Sequence, residues 1–313
     1  MSDKEKSKAD MNVSLEGADS TALRAAVEGL KEKFTFGVAI DGSTMSFKAL
    51  DLVCRLITER AEGKAPKVEK IHCLHVENPH KQEALSLQSE HFRHTAKLRI
   101  DKEPHIEMRW HHSHVDESSV DAEGHMGFFS LLEGMAMEHG LDLLVVGTFG
   151  LNGEKGDRIG RMSSFSMANS QTPVFIVKPS FLPLLPTQQR GYFFAMDGLS
   201  ASSKALIFVT KYLMRKQDKI YLFYKNTHAE VKGIFKHYME LLGGLGLNYQ
   251  TIFSSDKTLN VAEEIVSLSS KLECEFIVMG KKRLRQESLL GSITDHVAAR
   301  SRSSLIICKD AHF

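Results

Sequence analysis

At 313 residues the chain is too long for one small domain and accommodates two of about 150 residues each. Apolar residues make up 42% and charged residues 25%, the balance of a globular protein that buries a real core, and a formal net charge of +1 argues against non-specific nucleic-acid binding. No apolar run approaches the roughly 20 residues that span a bilayer, and the polar opening MSDKEKSKADMNVSLEGADS has no hydrophobic signal core. A cytoplasmic protein without membrane or nucleic-acid partners is the expectation. Cys54, Cys73, Cys274 and Cys308 stand singly in apolar segments without C-x-x-C spacing, and read as buried reduced thiols rather than metal ligands.

Residues 1–32 read as a charged tail followed by a short helix over Thr21–Lys31. A β-rich run, FTFGVAIDGS (34–43), precedes helix-spaced apolar positions at Leu50, Val53, Cys54 and Ile57. Then come a strand at 68–78, a helix over Lys81–Leu98, and an alternating strand at 105–116. A helix follows over Gly124–Gly140, and the fully apolar strand LDLLVVG leads into a glycine-rich loop. A helix at about 162–170 and the strand TPVFIVK (172–178) complete a first domain over 33–179. The proline-bearing stretch 180–190 reads as a semi-rigid linker to a second domain over 191–313.

The second half repeats the first. GYFFAMDGLSASSKALIFVTKYL (191–213) aligns with FTFGVAIDGSTMSFKALDLVCRLI (34–57), bringing Asp41/Asp197, Gly42/Gly198, Ser46/Ser202 and Lys48/Lys204 to one offset. KIYLFYKN matches KIHCLHVEN, CEFIVMG matches LDLLVVG, and SSLIICK matches TPVFIVK. Helices over Glu230–Leu242 and Leu259–Lys271 flank a strand over Leu247–Phe253. Each half therefore reads as an α/β unit of five strands alternating with helices. Strands apolar on both faces imply a doubly wound, Rossmann-like parallel sheet in three α/β/α layers. Ligands of such sheets bind beyond the carboxyl ends of the strands, where strand order reverses. Asp41, Val76 and the Gly147 loop all follow or end strands and converge there.

The loop LLVVGTFGLNGEKGDRIGRMSS (143–164) has the spacing Gly147-x2-Gly150-x9-Gly160. Glycines let backbone N–H groups approach a phosphate, and a helix N-terminus adds partial positive charge. The loop lacks both the Gly-Lys-Ser/Thr ending of a P-loop and the G-x-G-x-x-G of a dinucleotide fold. Taken alone, it also fits an ordinary turn.

Together, the VAIDGS end of the first strand and this loop resemble the universal stress protein family in a tandem two-domain form, over 34–179 and 191–310. The resemblance implies that Asp41 and Gly42 with Val76 hold the adenosine end of ATP or a related adenine nucleotide, with or without Mg. It implies that Gly147, Gly150, Gly160 and Ser163 hold its phosphates. Arg161 stands where the family has a hydroxyl residue; it could pair with a phosphate or fill the site. Glu154 and Asp157 would repel phosphate if they pointed inward. In the second half Asp197, Gly280, Gly291, Ser292 and Thr294 match the motif. There Arg283 replaces the middle glycine, the loop is two residues shorter, and Lys225 stands at the position of Val76. Lys281, Lys282, Arg283 and Arg285 form a basic loop that either binds an anion or is simply solvated. An asymmetric pair is expected, with nucleotide in the first domain.

Two further features have plain structural readings. Asp-Gly at a strand end is a common turn, and Asp caps helices. His112 and His114 share one strand face within RWHHSH, but with only Asp116 nearby they read as partly exposed strand histidines, and no metal is expected. His72 and His75 lie on opposite strand faces and cannot join in one site. No catalytic set stands out. Each half ends in an apolar strand at a sheet edge, which recruits another strand. The resemblance implies pairing of the two halves through these strands about a pseudo-two-fold axis, with homodimers or protein partners as further options. The functional expectation is a nucleotide-responsive binding module in stress response or signalling. A scaffold without nucleotide, or a slow adenine-nucleotide hydrolase, are the alternatives.

Overall fold

A computed structural model describes residues 19–29, 33–61, 69–77, 85–103, 105–114, 126–150, 153, 159–181, 188–225, 230–255, 258–281 and 291–309. They belong to two compact units. One is built on Lys33–Pro183; the other combines Leu184–Gln286 and Gly291–Phe313 with the N-terminal residues up to Glu32. The described part of that N-terminal stretch is helix α1 (Ser20–Gly29).

The first unit runs β1 (Phe36–Ala39), α2 (Thr44–Ala61), β2 (Glu69–Glu77), α3 (Leu85–Ile100), β3 (Ile106–His114), α4 (Met126–Glu138), β4 (Leu143–Gly147), α5 (Arg161–Asn169) and β5 (Val174–Val177). Its strands are parallel in the order β3-β2-β1-β4-β5. The central strands carry the apolar runs. Phe36, Val38 and Leu143 to Val146 are buried, because helices cover both faces of the sheet. The outer strand β3 buries fully only Ile106, which leaves its other side chains free for polar chemistry. Helix α2 starts at an N-cap serine: Ser43 Oγ accepts from Ser46 N at 3.1 Å, and the helix then buries Leu50, Val53 and Ile57.

The second unit contains β6 (Gly191–Ala195), α6 (Ser200–Tyr212), β7 (Lys219–Lys225), α7 (Glu230–Gly244), β8 (Asn248–Ser254), α8 (Val261–Lys271), β9 (Phe276–Lys281), α9 (Ser292–Arg300) and β10 (Ser304–Lys309). Its parallel order is β10-β9-β6-β7-β8, the same topology repeated. Helix α8 opens with a capping box between Asn260 and Glu263. Helix α1 is part of this unit. It packs on α6 and α7 through buried Leu23 and Val27, and Arg24 Nη2 donates to Glu240 O at 3.4 Å.

The stretch read as a linker ends in fixed contacts. Arg190 N and the Arg215 guanidinium donate to the fully buried Asp218, and Arg215 Nη2 also donates to Gln188 O at 2.7 Å. Residues 188–190 are thus anchored in the second unit. The tail to residue 18, the linker core 182–187, the helix start at Lys81, and strand residues 115–116 with Asp116 lie outside the described residues. All four cysteines are free and buried; burial raises the Cys54 and Cys274 thiols to about 12, leaving them protonated and inert at neutral pH. Among the described residues no helix is long and apolar enough to cross a membrane.

Candidate functional site

In the first unit the chain runs outward from β1 to β2 and β3, then returns to the other side of β1 for β4 and β5. The reversal lies between β1 and β4. Asp41 follows β1 and the loop from Thr148 follows β4, so both stand at this switch point. Asp41 Oδ1 accepts from Ser43 N at 2.9 Å across Gly42, whose φ of +81° favours glycine. A Cβ at Gly42 would also strike the Phe92 ring, 2.1 Å away. The other oxygen faces the loop: a Cβ on Gly150 would stand 2.7 Å from Asp41 Oδ2. Carboxylate and loop backbone therefore meet with no side chain between them.

The other glycines do different work. A Cβ on Gly147 would lie 2.7 Å from Met45 Cβ and 2.9 Å from its carbonyl carbon, so this glycine lets β4 end against the first turn of α2. Gly160 N donates to Thr148 O at 2.8 Å, and a Cβ there would collide with the same oxygen. Ser163 is buried, and its hydroxyl donates to Gly147 O at 2.6 Å. That proton is committed to closing the loop, so the hydroxyl is not available as a donor to a ligand. Among the described residues no side chain caps the N-terminus of α5, and the first turn carries its helix-end charge toward the loop. Arg161 is exposed at the first helical position. Loop residues 151–152 and 154–158, including Glu154 and Asp157, lie outside the described residues.

Below Asp41, His75 is buried and bonds through Nδ1 to Ile40 O at 2.7 Å, which makes Nδ1 the protonated nitrogen. Burial pushes the His75 pKa below its ordinary value and His112 adds to this, while the Ile40 bond, Glu77 and Asp41 oppose it. Phe92, Trp110 and His112 surround its ring. Val76, next along β2, is half-buried at the rim.

Two histidine groups, one on each face of the sheet, were not legible as groups. His112 Nε2 and His114 Nδ1 lie 2.9 and 2.8 Å from the two oxygens of Glu77 on the neighbouring strand. On the other face, His72, His111 and His139 bring their ring nitrogens within 4.8 Å of one another. Burial pushes His72 down to about 4, helped by His111 and His139, and burial lowers His111 as well. The signal for the strand members of both groups is parallel register plus side-chain parity, and neither group can be read before strand order is known.

The second unit repeats the frame and alters the rim. Asp197 Oδ1 accepts from Leu199 N at 2.9 Å, and Gly198 has φ of +79°. A Cβ on Gly280 would stand 2.3 Å from Ser202 N, the counterpart of the Gly147 contact. Lys225 Nζ, however, lies 2.8 Å from Glu264 Oε2 of α8 and donates to Leu259 O. Where the first unit has the apolar Val76, the second has an ion pair. Gly291 has open space around it; Ser292 is exposed and Thr294 buried. Lys281 is half-buried, and desolvation lowers its pKa. Lys282, Arg283 and Arg285 lie outside the described residues.

A model of the universal stress protein family matches residues 35–178. No curated protein matches the chain. Among solved structures, a universal stress protein from Archaeoglobus fulgidus aligns over 90% of this chain and 100% of its own, with TM-score 0.65 and 16% identity. A functionally unknown protein from Pseudomonas aeruginosa aligns over 91% of this chain and 95% of its own, at TM-score 0.57 and 11% identity. The cytoplasmic domain of a prokaryotic cation chloride cotransporter covers 90% of this chain and 97% of its own, at TM-score 0.50 and 11% identity. At these identities the likenesses show a shared fold. The first domain therefore belongs to the universal stress protein family, and the tandem fold of a universal stress protein is matched along the whole chain.

Proposed function

We propose that the first domain binds an adenine nucleotide, ATP or a relative, and that the chain works as a cytoplasmic nucleotide-responsive module in stress response or signalling rather than as an enzyme. The observation that carries this reading is the approach of Gly150 to Asp41: a Cβ would stand 2.7 Å from Oδ2. Asp41 Oδ2 would accept from the adenosine end, with Val76 as the apolar wall. The phosphates would lie along the loop from Gly150 to the α5 N-terminus, met by backbone N–H groups and, where it turns inward, Arg161. Mg would accompany the phosphates.

The test is to denature the purified protein, identify released nucleotide by chromatography and mass, and titrate stripped protein with Mg·ATP. About one equivalent, lost in Asp41→Ala and Gly150→Trp and kept in Asp197→Ala, supports the reading. No nucleotide released or bound overturns it. A second reading is a scaffold without nucleotide, and Lys225 paired with Glu264 favours it for the second domain. Detectable ATP turnover lost with Asp41 would instead revive the hydrolase alternative.

A further inference from the structure

The clearest chemistry outside the nucleotide crevice lies on the other face of the first-domain sheet. His72 on β2, His111 on β3 and His139 just after α4 come from three elements, yet their ring nitrogens all fall within 4.8 Å. His111 Nε2 is 3.0 Å from His72 Nδ1, and the His111 and His139 rings lie 3.7 Å apart, centre to centre. A tetrahedral zinc ion with bonds of about 2.0–2.1 Å holds its ligand nitrogens roughly 3.3 Å apart. One pair, at 3.0 Å, is already close to that spacing, and the third nitrogen lies within 4.8 Å of both.

The supports are rigid. β2 and β3 are held in register from Glu69↔Ile106 to Glu77↔His114. His139 N donates to Met135 O at 3.1 Å, and Gly140, at φ of +58°, ends the helix behind it. The last turn of α4 carries no basic residue, so its carbonyl end favours a cation. The nearby charges are Glu138, Arg109 and Lys70; Arg109 is engaged by Glu107 at 2.5 Å. All three histidines are partly exposed, so an ion and a solvent ligand can reach them.

We propose that His72, His111 and His139 form a site for a late first-row divalent metal ion, of which zinc is the test case, with solvent as the fourth ligand. Three imidazoles leaving one open position suit zinc, nickel, copper or cobalt, whereas an all-nitrogen set is a poor host for magnesium or calcium. Binding replaces the hydrogen bond between His72 and His111, each neutral imidazole keeping its proton on the nitrogen that does not bind the ion, and clamps the outer strand β3 to β2 and α4. The site is independent of the nucleotide reading.

The test uses the untagged full chain, stripped with chelator, titrated with ZnCl2 by calorimetry and with CoCl2 by visible absorption. About one ion per chain, a low-coordinate cobalt spectrum, and a rise in melting temperature with zinc are expected. His111→Gln and His139→Gln should each weaken binding about tenfold or more, and His112→Gln should leave it unchanged. Should a variant fail to fold, cobalt-induced shifts of imidazole proton signals in the unaltered protein locate the ion. No ion bound by the unaltered protein overturns the proposal. So does binding that is lost with His112 and not with His139, which would move the ion to the Glu77 face.

Discussion

The two domains share one frame and differ at one rim. In both, an aspartate after the first strand folds back on the N–H two residues ahead, across a glycine with positive φ. In both, the strand that returns beside it ends in a glycine pressed against the next helix, Gly147 on Met45 and Gly280 on Ala201 and Ser202. These residues recur because the fold needs them. What does not recur in the sequence is Gly150, which approaches Asp41 in the first domain and stands opposite Arg283 in the repeat, and the apolar rim residue, which becomes the Lys225–Glu264 pair. Repetition within a chain therefore marks architecture, and the departures from it mark where binding is expected.

The largest expected effect comes from the shared glycines. Gly280→Ala forces a Cβ onto Ser202 N and the carbonyl carbon of Ala201, both backbone atoms. A cost of about 3 kcal/mol or more is expected in urea unfolding, with Gly147→Ala close behind. Gly291→Ala, in open space, should cost far less. Equal, small losses at all three would break the claim that the recurring glycines are packing positions.

Next in size is the ion pair. Lys225→Met strands the mostly buried Glu264 and should cost roughly 3 kcal/mol, while Lys225→Val with Glu264→Leu should recover most of it. Titrating that double variant with Mg·ATP sharpens the comparison. Nucleotide gained there would mean the rim residue alone distinguishes the domains; none gained assigns the difference to the loop as well.

Ser163→Ala removes one hydroxyl donor to Gly147 O and should cost about 1 kcal/mol, with nucleotide affinity unchanged. A large loss of affinity without loss of stability would return the hydroxyl to the phosphates. The smallest effect concerns His75 in metal-free protein. Its folded pKa lies below the ordinary 6.5, with Asp41, Glu77 and His112 as its titratable neighbours. The unfolded chain binds the proton more readily, so this contribution is fully present above about pH 6.5 and is lost as pH falls toward the folded pKa. His75→Gln keeps a donor for Ile40 O and should flatten that acid limb, measured as unfolding free energy against pH.

Much of the fold could be read because its signals are local. The apolar runs of β4 and β9, the helix spacing of α2 and the duplicated Asp-Gly turns each sit within a few residues. Strand ends shifted by a residue or two, as at β1, because Phe34 and Thr35 are apolar or branched without joining the sheet. The site was legible only in part. Gly147 fits a phosphate cradle by spacing, but its reason is a contact with Met45 of α2, five elements earlier along the chain. Ser163 carries the right hydroxyl at the right place and spends it on backbone. His139 gave no signal, since its partners lie on two strands whose adjacency no sequence window contains.

Helix α1 has a consequence for how the molecule is made. It precedes the first domain in the chain, yet its Leu23 and Val27 are buried on α6 and α7 of the second. During synthesis this amphipathic segment must wait, undocked, while the whole intervening domain emerges and folds. Its docking surface is completed only when the ribosome has passed residue 244 or so. A fragment that begins at residue 188 would carry an apolar groove with no cover, and supplying residues 19–29 as a separate peptide should restore its solubility.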